Sequence, residues 1–92
     1  DPQSSPGMMT FITTIETDPN AFDEVADVLK KEKCVVTLCH VSGDSAMHAV
    51  CVAENMEEMR TFAKKIRTLC PGLKKFHACN VWDVMKGSVL SE

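Results

Sequence analysis

Between Met9 and Met85 the hydrophobic positions change period four times, and each change marks the start of a new element. The run MTFITTIE, residues 9–16, is β-branched and aromatic, with Phe11 and Ile15 on one side and Ile12 on the other. It predicts a strand with both faces partly apolar. Thr17-Asp18-Pro19 then predicts a helix start, because Asp18 is a capping type and Pro19 at the first helical position forfeits no hydrogen bond. That helix is expected from about Pro19 to Glu32, with Phe22, Val25, Ala26 and Leu29 on its packed side and Asp23, Glu24, Asp27, Lys30 and Lys31 toward water.

CVVTLCHVSGDSAMHAVCVA is two apolar runs about Ser42-Gly43-Asp44-Ser45 and predicts a β-hairpin. A symmetric turn pairs Val41 with Ala46, Cys39 with His48, Thr37 with Val50 and Val35 with Val52, and sends Cys34, Val36, Leu38 and His40 to the other side. Asn55 followed by Glu58 has capping-box spacing, and Met59, Phe62, Ala63, Ile66 and Leu69 form a helical stripe that stops at Pro71-Gly72. Lys64, Lys65 and Arg67 near its carboxyl end read as a solvated face that suits the helix dipole. A last strand is expected from Phe76 to about Met85, and KGSVLSE reads as a loose tail. The chain thus divides into a leader or expression remnant at 1–7, one domain at 8–86 and a tail at 87–92.

The order strand, helix, strand, strand, helix, strand is that of a ferredoxin-like α+β fold: a four-stranded antiparallel sheet with both helices on one face. The other face is left bare. With apolar residues on both sides of the strands, that surface is too hydrophobic for a monomer, so a second copy packing sheet to sheet, as a dimeric α/β barrel-like assembly, is expected.

Composition narrows the classes. Ninety-two residues with a formal charge of −3 make one core and lack the basic field that dominates nucleic-acid binding. No apolar run approaches the ~20 residues of a membrane span and no secretion signal opens the chain, so a cytoplasmic protein is expected. The odd count of five cysteines, four of them (Cys34, Cys39, Cys51, Cys79) in apolar runs, predicts free buried thiols. Neither C-x-x-C nor H-x-x-x-H occurs, so no metal and no cofactor is expected. The six methionines read as packing, and Trp82 as an interface anchor.

Residues 9–86 resemble the ligand-binding domain of the feast/famine (Lrp/AsnC) transcription regulators, a module also found alone. The resemblance rests on VSGDSAMHAVCVAENMEEMRTF, with its hairpin glycine and capped helix, and on LCPGLKKFHACNVWDVMK, with its Pro-Gly break before the last strand. It implies a dimer that joins into larger assemblies, small effectors, often amino acids, bound between dimers, and action in transcriptional regulation. It implies that a full-length regulator of that family is a possible partner, and that direct DNA contact is not expected without a helix-turn-helix. It assigns ligand binding, by position, to Ser42, Gly43, Asp44 and Ser45: glycine lets backbone approach a ligand, and an Asp receives an ammonium group. The family's aromatic and acidic residues after Asp44 are here Ser45 and Ala46, and its threonines early in the last strand are Phe76 and Ala78. Those departures make the expected pocket more apolar.

Two alternatives use other residues. Cys39 opposite His48 has the form of an activated thiol or half a metal site, which needs a third group such as His77 or Cys79. Ferredoxin-like barrels also include cofactor-free monooxygenases and heme-handling proteins, for which His48, His77, Asn80 and Asp83 are the candidate inward groups.

Overall fold

The computed structural model describes residues 7–43 and 45–87. In chain order it forms β1 (Met9–Thr17), a 3-10 turn (Pro19–Ala21), α1 (Phe22–Lys30), β2 (Val35–His40), β3 (Ala46–Ala53), α2 (Met56–Leu69) and β4 (Leu73–Asn80). The strands make one antiparallel sheet in the order β2-β3-β1-β4, the expected ferredoxin-like arrangement.

Period-2 alternation along β1 divides the sheet into two faces. Phe11, Thr13 and Ile15 stand opposite Cys51, Ala49 and Met47 of β3, and all six are buried. Val25 and Leu29 of α1 and Met59, Phe62 and Ile66 of α2 complete the same cluster, so both helices cover this side. Each large side chain buried there contributes about 1.5–3 kcal/mol. The hydroxyl of Thr13, buried among them, donates to the Ala49 carbonyl at 3.2 Å and so avoids a desolvation penalty.

The α2 cap forms as its spacing predicts. Asn55 Oδ1 accepts from the Glu58 amide at 2.8 Å, and Glu58 Oε1 accepts from the Glu54 amide at 3.0 Å. The start of α1 differs. Asp18 makes no side-chain cap, Pro19–Ala21 is a 3-10 turn, and the α-helix runs only from Phe22 to Lys30 instead of 19–32. The cause is a neighbour from far along the chain. The Asp18 amide donates to the Gly72 carbonyl at 2.8 Å, and a Cβ on Gly72 would collide with the Ala21 side chain. The entry to α1 is therefore seated against the Pro71-Gly72 turn, where only glycine fits.

The last strand is also corrected. β4 occupies Leu73–Asn80, three residues earlier at its start than expected and well short of Met85. Its length is set by its partner: Asn80 pairs with Phe11, the Val81 amide donates to Thr10 at 2.8 Å, and β1 then runs out. Val81, Trp82, Val84 and Met85 lie past the sheet, with Trp82 91% and Met85 92% exposed.

In the hairpin the expected pairs Cys39–His48 and Thr37–Val50 hold, but a bulge at Val36 places Val35 opposite Cys51 and not Val52. Only Cys51 and Cys70 are buried thiols; Cys34 is half-buried, and Cys39 and Cys79 are exposed. No helix among the described residues is long and apolar enough to cross a membrane.

Candidate functional site

The β2–β3 hairpin is held at both of its shoulders. Val41 donates to Ala46 at 3.2 Å, closing the turn, and Thr17 of β1 donates to the Ser45 carbonyl at 2.9 Å. Gly43 sits at φ +104°, a conformation that a side chain disfavours. Its carbonyl lies 3.1 Å from Nε2 of His40, and the His40 ring rests on Phe22 of α1 with centroids 4.4 Å apart. This chain of contacts links the turn to the first helix. The sequence patterns do not expose it, because Phe22 and His40 belong to separate elements far apart in the chain. Beside the stack lies a groove of about 260 Å³ between α1 and β2, walled by Phe22, Ala26, Leu38 and Met47 with Asp23 and Lys30 at its mouth.

Of the four loop residues singled out from sequence, Ser42, Gly43 and Ser45 fall within this anchored turn. Asp44 lies outside the described residues.

On the uncovered face, strand pairing lines up transverse rows. Cys39, His48, Thr14 and His77 form one row, and Thr37, Val50, Ile12 and Cys79 the next. Cys39 and His48 are neighbours as expected, but β1 intervenes between them and β4. His77 is therefore two strand spacings from His48, roughly 10 Å. No group of three or more His, Cys, Asp or Glu positioned to hold a metal occurs among the described residues. The groups required by the enzyme alternative diverge as well. His48 and His77 are on the open face, Asn80 pairs with Phe11 at the opposite pleat, and Asp83 lies beyond the sheet.

One thiol pair escapes the sequence patterns. The Cys34 thiol is lowered from its usual 9.0, first by a hydrogen bond from Cys51, against burial and the nearby Glu32 carboxylate. The Cys51 thiol is pushed well above the ordinary range by donating that bond and by burial. Cys34 directly precedes β2, and its carbonyl accepts from the amide of Val52, the neighbour of Cys51 on β3, at 2.9 Å.

The family model for the Lrp/AsnC ligand binding domain matches residues 10–88. A crystal structure from Thermus thermophilus is similar at TM-score 0.75 and 13% identity, covering 86% of this chain and 99% of that one. An AsnC family transcriptional regulator from Agrobacterium tumefaciens gives TM-score 0.77 and 16% identity over 100% of this chain and 61% of its own. A transcriptional regulator from Neisseria meningitidis, solved as a complex with L-Met, gives 0.73 and 18% over 97% of this chain and 59% of its own. The chain thus spans about three fifths of the length of those two regulators. Among curated proteins there is no match.

Proposed function

Because the chain belongs to the Lrp/AsnC ligand-binding domain family, an effector-binding regulatory module, we propose that it senses a small molecule, amino acids among the candidates, through the β2–β3 hairpin and reports it by changing its assembly. The observation that carries this reading is the anchored turn. Its backbone is pinned by Thr17 and by His40, so Ser42, Gly43 and Ser45 present ordered groups to a ligand at little further entropy cost. Asp44 supplies the carboxylate that a ligand ammonium requires. Ala46, which follows the turn where the family carries an acidic residue, favours an effector with an apolar side chain over a polar one, whereas Phe76 and Ala78 lie on β4 on the helix-covered face and do not line this pocket.

The assembly is a homodimer joined through the open sheet face, and larger rings of dimers follow from it. Ile12, 37% exposed at the centre of that face, and its half-buried neighbour Val50 are the groups whose burial would drive it. A full-length regulator of the same family would engage the same face. Coupling requires that the ligand bind one assembly state better than another. On this reading the module works without catalysis: His48, His77, Asn80 and Asp83, the groups the enzyme alternative needs, do not converge.

Native mass spectrometry with L-methionine as the first probe tests this. Retained ligand or a change in subunit number is expected, and both are lost in Asp44→Ala. An assembly indifferent to methionine and to the other proteinogenic amino acids, with wild type and Asp44→Ala alike, would overturn the reading.

A further inference from the structure

We infer that the trough between α2 and β4 binds an amphiphilic organic anion, a carboxylate carried on an apolar body. The trough is about 420 Å³, within the range of small-molecule sites. α2 packs against β3 and β4, its Phe62 ring meeting Phe76 edge-on with centroids 5.9 Å apart, and β4 lies at the sheet edge. Ala63 on the helix and Ala78 on the strand are too small to close the gap between them. Its lining is apolar below, with Phe11, Met59 and Phe76.

Its rim is cationic. Arg60, Lys64 and Arg67 recur at i, i+4 and i+7, one side of a helix, so all three border the same trough. Among the described residues no carboxylate lines it and none of the three forms an ion pair. The adjacent Lys65, by contrast, pairs with Glu32 at 3.0 Å. Arg67 is already ordered: one Nη donates to the Phe76 carbonyl at 3.0 Å, and its guanidinium sits 5.7 Å from the centre of the Phe76 ring. The N–H groups not used there remain free for a carboxylate, and the ring beneath continues into the apolar floor. Such a surface offers a bare inorganic anion no return for the apolar lining and offers a neutral lipid none for the cations. A molecule with both parts meets both.

The trough reaches Asn80 and Phe11 at the beginning of β1, whereas the hairpin is anchored to Thr17 at its end. The two sites do not compete, and this one stands whether or not the hairpin binds an effector.

Titration of the full chain with sodium decanoate below its micellar concentration, followed by amide NMR, with decanol and acetate in parallel, tests the assignment. Shifts confined to residues 56–67 and 76–80 and to Phe11 are expected, with decanoate at least about tenfold tighter than decanol and acetate silent. The double variant Arg60→Gln/Lys64→Gln, at exposed positions without ion pairs, should erase that margin, and Ala78→Phe, checked by circular dichroism, should remove binding of both amphiphiles. Equal affinity for decanol and decanoate, unchanged binding in the double variant, shifts on the open sheet face or hairpin, or no binding because a second copy fills the trough would each overturn it.

Discussion

The two faces of the sheet are built from alternate residues of the same strands, yet they do different work. On one, Phe11, Ile15, Met47, Ala49, Cys51 and Phe76 are buried by α1 and α2. On the other, Ile12, Thr14, His48, Val50, His77 and Cys79 are covered by no helix among the described residues, and threonine and histidine break up the hydrophobic surface. The contrast teaches that residues of one strand can answer to different equilibria: Ile15 to folding and, on the proposed reading, Ile12 to association. The uncovered face is also more mixed than an apolar reading of the strands suggests, as befits a surface proposed to meet a partner and not to form a permanent core.

Three experiments press on that contrast. The largest effect is expected from Ile15→Ala, which empties a fully buried site and should cost about 2–5 kcal/mol in urea denaturation. A loss under about 1 kcal/mol would mean that the covered face is loosely packed. Ile12→Asp should leave the fold intact by circular dichroism while weakening self-association by at least about tenfold, or roughly 1.4 kcal/mol, in sedimentation. Unchanged sedimentation would place the contact elsewhere.

The smallest effect concerns the thiols. Cys39 and Cys79 on the open face should alkylate readily in dilute protein and be protected as it assembles, while Cys51 stays protected in both states. Cys34 should alkylate at a lower pH than an ordinary thiol, and Cys51→Ala, which removes the donor to its sulfur, should move that profile back toward 9.0. The sign for stability follows from Cys51. Its folded pKa is raised, so its contribution is complete below pH 9 and declines as the pH rises beyond it, where the unfolded thiol ionises.

Elements governed by nearby residues were legible in the sequence. Asn55, Glu58 and the stripe from Met59 to Ile66 define α2 without reference to anything distant, and the tight turn carries the register from His40 back to Thr37. Beyond that, local pattern gave way to tertiary partners. The bulge at Val36, the displaced start of α1 and the early end of β4 at Asn80 are each decided by a strand or turn remote in the chain. The candidate sites divide in the same way. Gly43 could be read from its turn, but the stack of His40 on Phe22 and the trough rimmed by Arg60, Lys64 and Arg67 arise only when helix and sheet meet. Arg67 looks like an ordinary solvated cation until Phe76 is beneath it, and Lys64 until the trough opens beside it.

The seat of Ala21 against Gly72 joins the two crossovers of the fold at a single point. The first βα unit and the second αβ unit cannot open separately without exposing that junction. Amide exchange at Asp18 and Leu73 should therefore follow the same opening event, and the chain should lose its structure as one cooperative unit, not as two successive halves.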